Sequence, residues 1–581
     1  MPPTTPSFPA PPPRRLPPGF DATDRAALQH ACDELLARPL PDAAALEEWL
    51  LDADELESAV EAAVTGARIA ASRDSADAGA RERHLRIQQE LLPFARPLQD
   101  RLDRRFLDHP SRAALSRGRW GAFDRLRANR AALYRPANVP LAAREAALVL
   151  RHDQLLGGLT VDFRGERLTP QALQRWMDQP DRGLREQAFR AQAAARLGLS
   201  EELSGLFEQL LALRRELAAN AGFLGYRDFR FRELERFDYG PAECEAFAQA
   251  IEEQVVPVVG ELREARRRAL GLAQLRPWDL AADPSGLPPL RPFRTEAELC
   301  VLAERLLKRV DPELSAQFAW LRAQGRLDLM NRPGKAPGGY NATLHDVRLP
   351  YIHANSVGLQ NDVRTLLHEA GHAFHTLACR GQPVLACRHA PIEFCELASM
   401  SMELLAAEHY AAVMDPADAV RAQRQQLEHA LVLLPWVATI DAFQHWLYTY
   451  PEHTRKERAA YWIALRQRFE PDVDWSGHMD WLAVEWQRQL HLFRHPFYYV
   501  EYGLAQVGAL QVWLNVRHKG RPAVEAYRAA LALGGSRPLP ELFTAAHACF
   551  DFGPAMLGTL ARAVREALAE LDDPTPASTR A

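Results

Sequence analysis

Leu and Ala recur at three- and four-residue spacing from Ala43 to Arg105, with Asp, Glu and Arg between them. This is the pattern of helices that bury one face. It dominates the chain from about Asp21 onward, broken at Pro93, Pro97 and His109-Pro110, where proline removes a backbone donor. Two stretches read differently. Leu159 to Phe163 and Glu166 to Thr169 flank Arg164-Gly165, which predicts a small hairpin. Thr169-Pro170 then opens a helix, with Thr as cap and Pro in the first turn. Helices continue to about Leu270, and a proline-rich connector runs from Arg276 to Pro292. Arg332 to Gly339 is a loop by its turn residues. Beyond it, Tyr340–Leu344 and Val347–His353 are expected to pair antiparallel. From Asn361 the helical pattern returns, with loops near Pro451, from Pro471 to Gly477 and at Gly534–Ser536. No fixed-period repeat is visible.

Composition narrows the class. Of 581 residues, 47% are hydrophobic and 25% charged, as in ordinary globular proteins and unlike collagen, coiled-coil rods or disordered chains. The best apolar run, Ala430 to Ile440, is short and carries Pro435, so no membrane span is expected. A net charge of -5 gives no basic face for a nucleic-acid partner. Lysine occurs only at positions 308, 335, 456 and 519, which reads as a coding bias. The first 20 residues, MPPTTPSFPAPPPRRLPPGF, have no apolar core of a secretory signal and are expected to form a proline-rich disordered tail. The seven scattered cysteines make no disulfide framework, so a reducing, cytoplasmic location is expected.

The chemistry concentrates in His368-Glu369-Ala370-Gly371-His372. Histidines four apart share one helical face and can reach one zinc ion. The glutamate between them can act as general base toward an activated water. Asn361 or Asp362 can cap this helix, and Val363, Leu366, Leu367, Ala370 and Phe374 form its apolar stripe. A third ligand is needed. His375 shares the face, but three donors along one helix approach the ion from one side. The metzincin pattern fails at His375 and Ala378. Glu393, Glu396, Glu403 and Glu408 remain, and spacing does not choose among them. Glu396 and Glu403 are one heptad apart, so one can bind metal while the other supports a ligand histidine. Cys379, Cys387 and Cys395 read as small buried apolar residues. Farther on, His491 to Gly503 packs two histidines and three tyrosines into a short span, a source of donors for an oxyanion.

These residues resemble the zinc oligopeptidases typified by oligoendopeptidase F and thimet oligopeptidase, gluzincin metallopeptidases. The resemblance also rests on Gly338-Gly339-Tyr340, Leu349 to Ile352, Asn355, Asp362 to Leu366, Glu396-Leu397-Ala398-Ser399, and His491 with Pro496-Phe497-Tyr498 and Tyr502. Weaker similarity reaches Val161-Asp162-Phe163, Asp181-Arg182 and Gly534-Gly535-Ser536, so that it covers roughly residues 100 to 570. Tyr499 departs from the family spacing, which leaves the roles of the three tyrosines open. The resemblance implies a mostly α fold, a large two-lobed helical bowl or clam around a deep substrate channel, with a small antiparallel β element beside the zinc helix. It implies one zinc ion per chain on His368, His372 and Glu396, with Glu369 as general base. His491, Tyr498 and Tyr502 would hold the scissile carbonyl or its oxyanion, and short peptides would be the substrates. The expected organisation is a tail over 1–20, an N-terminal helical region over 21–195 and a peptidase region over 196–575. A dipeptidyl carboxypeptidase with the same chemistry is the nearest rival. An inactive peptide-binding protein is a second, against which the intact Glu369 argues.

Overall fold

The computed structural model describes residues 6–572. The described residues are mostly helical with two small sheets, the fold class the periodicity predicts. They form two compact units that interleave along the chain. Among the described residues, one unit takes 6–143, 291–423 and 508–550; the other takes 144–290, 424–507 and 551–572.

In the first unit, helices Arg25–Ala37, Ala43–Arg73, Leu92–Leu107 and Arg117–Leu133 bury Leu28, Trp49, Leu98, Phe106, Trp120 and Phe123 in a common core. The proline-rich segment is held from its described start. Phe8 packs edge-on against Trp320 at 4.9 Å, and Arg380 donates to the Pro9 carbonyl at 2.6 Å. The Glu55 carboxylate accepts the backbone N–H groups of Arg14, Arg15 and Leu16. An extended proline segment makes no hydrogen bonds of its own, so its partners come from distant helices; residues 1–5 of the expected tail lie outside the described residues.

The hairpin expected over 159–169 is present as the shorter pair β1 (Val161–Phe163) and β2 (Glu166–Leu168), in the second unit. Thr169 caps the helix that follows, with Pro170 in its first turn. The first unit holds the other sheet, β3 (Leu327–Met330), β4 (Tyr340–Leu344) and β5 (Leu349–Ser356), in the order β3-β5-β4. β4 and β5 pair antiparallel as expected, Tyr340 opposite His353. β3 adds a parallel edge that the sequence pattern does not announce. The loop between β3 and β4 is fixed by Lys335, whose buried ammonium donates to the Asp328 carbonyl and carboxylate, both at 2.9 Å, and to the Met330 and Ala354 carbonyls. Asn355 adds bonds to the Ala336 and Gly338 carbonyls.

In the second unit, two buried arginines hold the span that leads into the tyrosines. Arg214 bonds Glu145, the Tyr448 hydroxyl and the Leu492 and Phe493 carbonyls. Arg236 bonds the Phe497 carbonyl and Glu501. Phe497 takes a left-handed φ of 63°, which these contacts and the Gln444 side chain on its N–H enforce. Helix Pro416–Thr449 is long and apolar enough to cross a membrane by length and composition, but 72% of its most apolar window is buried within the protein, as in a core helix.

Candidate functional site

The helix Gln360–Cys379 carries the histidine motif. Its expected stripe, Val363, Leu366, Leu367, Ala370 and Phe374, is wholly buried. The entry turn is organised by Asp362, whose carboxylate accepts the N–H groups of Val357, Gly358 and Leu359 at 2.8–2.9 Å. The cap position itself falls on Leu359, two residues before the expected Asn361.

Against this helix lies a second, Ile392–Ala407, and the two approach closely at glycine. A Cβ on Gly371 would stand 2.6 Å from the Ser399 Cα and 2.9 Å from the Ala398 carbonyl oxygen. That contact sets the register that brings the carboxylates of the second helix to the histidines of the first. Glu396 Oε2 lies 3.3 Å from His368 Nε2 and 3.6 Å from His372 Nε2. The ligand atoms of His368, His372 and Glu396 all fall within 4.8 Å of one another. Ser399 donates to Glu396 Oε2 at 3.3 Å. Glu403 meets the other nitrogen of the first ring, its Oε1 2.7 Å from His368 Nδ1. Of the four carboxylates left open by spacing, Glu396 alone joins both histidines at Nε2. Glu408 instead accepts from Trp513 and Arg517, and Glu393 is buried.

Burial opposes charge on His368, yet Glu396 and Glu403 outweigh it and hold the imidazole proton well above its usual range. Burial dominates at His372 and lowers it to about 4, against the pull of Glu396. Glu369 is buried, and burial pushes its carboxyl up to about 7, with His368 opposing and Glu396 adding. The Asn341 backbone of β4 hydrogen-bonds this carboxylate, and Gly339 packs closely on the same helix, since a Cβ there would stand 3.1 Å from Thr365 Cγ2. Here the close approach of the loop and the helix is a packing feature the motif alone does not reveal. His375 stands apart, buried against the Phe394 ring at 5.7 Å and lowered to about 3 by burial. The cysteines read as small buried residues behave so at positions 379 and 387, where burial raises the thiols to about 12 and 11; no disulfide forms among the described residues.

The downstream cluster lies in the second unit. The His491 ring stacks on Tyr498 at 5.8 Å and meets Tyr499 and Tyr502 edge-on at 5.0 and 5.8 Å. Gln489 Nε2 lies 2.7 Å from His491 Nδ1, a partner that sequence reasoning missed. Burial raises Tyr499 to about 12, while its hydroxyl is hydrogen-bonded by the side chains of Trp436 and Gln489. Those protein partners occupy the Tyr499 hydroxyl.

Comparisons with known proteins give the family of the chain. Residues 175–561 match the model of Peptidase family M3. Over 302 residues the chain is 24% identical to an oligoendopeptidase F homolog of Borreliella burgdorferi, 49% of each chain. It is 22% identical over 300 residues to oligopeptidase PepF of Bacillus subtilis, covering 48% of this chain and 42% of that protein. The chain thus spans about half the length of the curated relatives it matches. Among solved structures, PZ peptidase A with an inhibitor matches at a TM-score of 0.88 and 27% identity, over 96% of this chain and 99% of that one. Oligoendopeptidase-F of Enterococcus faecium matches at 0.64 and 15% identity, over 95% and 97%, a likeness of fold alone.

Proposed function

Because the chain belongs to peptidase family M3, we propose that it is a zinc-dependent endopeptidase that hydrolyses short oligopeptides. The observation that carries this reading is the convergence of His368, His372 and Glu396 within 4.8 Å beside the buried Glu369. Two imidazoles and one carboxylate suit zinc and leave a position open. A zinc ion held by these residues supplies Lewis acidity to water and to the scissile carbonyl. Glu369 takes the proton of the attacking water and returns it to the leaving amine. Glu403 fixes the orientation of the His368 ring. His491, Tyr498 and Tyr502 donate hydrogen bonds to the oxyanion. β4, an edge strand of its sheet, offers sequence-tolerant main-chain bonds to an extended peptide.

The test is mass spectrometry of peptides of graded length, with free and blocked C-termini, incubated with and without a chelator. Internal cleavage of blocked peptides that stops on chelation is the expected result. Glu369→Gln is expected to keep its zinc and lose about 10²–10⁴-fold in rate. Cleavage that survives zinc removal would sink the zinc chemistry, and release of C-terminal dipeptides only would make the enzyme a carboxypeptidase.

A further inference from the structure

A second set of metal donors lies in the other unit, on residues the proposed reaction does not use. Helix Pro241–Gln254 carries Cys244, and helix Pro416–Thr449 carries Asp441 and His445, four apart and so on one face. One donor atom from each falls within 4.8 Å of the other two. All three residues are buried, Cys244 and Asp441 at 2% exposure and His445 at 6%. Asp441 Oδ2 and His445 Nε2 lie 3.3 Å apart, yet neither ring nitrogen of His445 makes a hydrogen bond, nor does Asp441 Oδ1. Buried polar atoms are ordinarily satisfied, and orphaned ones call for an explanation such as an ion. The Phe231 and Phe497 rings stand edge-on to His445 at 5.9 and 5.3 Å.

We infer that Cys244, Asp441 and His445 bind a second divalent ion of zinc type. A thiolate, a carboxylate and a neutral imidazole are the donor types zinc accepts. Together with a divalent cation they sum to zero charge, which removes the cost of an uncompensated buried carboxylate. The ion would tie the two helices together beside Phe497, the residue that precedes Tyr498. This site is independent of the one at His368.

The test measures metal per chain by mass spectrometry of the full-length protein, desalted without chelator, in wild type, Cys244→Ser, Asp441→Asn and His368→Ala. Two equivalents are expected in wild type and one in each variant, with lower thermal stability in the first two. Cobalt substitution of the unaltered chain supplies a readout that needs no variant to fold. A thiolate-to-cobalt charge-transfer band in the near ultraviolet is expected, and Cys244→Ser should lack it. One equivalent in wild type, or no charge-transfer band, would leave Asp441 and His445 as a buried ion pair and overturn the site. A band that persists in Cys244→Ser would also overturn it.

Discussion

Gly371 rests on the backbone of Ser399, so that an added Cβ would stand 2.6 Å from the Ser399 Cα. Neither side of this contact is a flexible side chain, and the helices themselves must part to admit a methyl group. Alanine in a helix interior normally gains about 1 kcal/mol over glycine. In Gly371→Ala the sign should reverse, to a net loss of about 2 kcal/mol from overpacking. Zinc affinity should fall with it, because Glu396 and Glu403 retreat from the histidines. Urea unfolding and a zinc-competition titration measure the two effects. A variant as stable as the parent would show that the helix pair tolerates a wider spacing.

Glu396 and Glu403 are expected to differ in kind. Glu396 reaches Nε2 of both histidines, whereas Glu403 reaches Nδ1 of His368. Glu396→Ala should therefore lose most of its zinc. Glu403→Ala should retain a site weakened by about 10–100-fold, the usual effect of losing a partner behind a ligand. A titration that ranks them in the opposite order would reassign the third ligand.

The three tyrosines should separate by assay. Tyr498→Phe or Tyr502→Phe is expected to lower kcat with little change in KM. An oxyanion donor acts in the transition state, and losing one costs about 2.7–4 kcal/mol. Tyr499→Phe should instead cost about 1 kcal/mol of stability, since its hydroxyl already bonds Trp436 and Gln489. Steady-state kinetics and thermal melts of all three variants check this. Normal kcat in both Tyr498→Phe and Tyr502→Phe would leave His491 as the remaining donor.

Asp328 should contribute acid-sensitive stability. Burial raises its carboxyl, but hydrogen bonds from Arg332 and Lys335 outweigh burial and hold it at about 2. An unfolded aspartate titrates near about 3.9. The folded value is the lower, so the contribution is complete above that pH and is lost as pH falls toward about 2. Asp328→Asn should be less stable at neutral pH, with a flatter loss of stability across the acid range. Urea midpoints down to about pH 3 test it; parallel curves for variant and parent would contradict the assignment.

Local pattern carried much of this architecture. The helix at His368, the β4–β5 pair and the capped helix at Thr169 are set by neighbours in sequence, and periodicity or turn chemistry displays them. What remained open depends on contacts across the fold. Glu396 and Glu403 share a face, and only the register fixed at Gly371 and Ser399 tells which approaches both histidines. β3 is four residues long and finds its parallel partner more than twenty positions later. Proline segments reveal nothing of Glu55 or Trp320, which hold this one. Nothing near Tyr499 in sequence announces Trp436, which bonds its hydroxyl together with Gln489.

The interleaving of the two units bears on synthesis. The helices of His368 and Glu396 leave the ribosome well before residues 508–550, which belong to the same unit. Tyr527 in that last stretch donates to the Ala398 carbonyl at 2.7 Å, and Gly508 sits where any side chain would collide with Leu397. Until those residues emerge, the part of the Glu396 helix that they cover stays exposed to other chains. Nascent chains stalled before residue 508 would therefore be substrates for chaperones, and the donor set would assemble only after residues 508–550 are made.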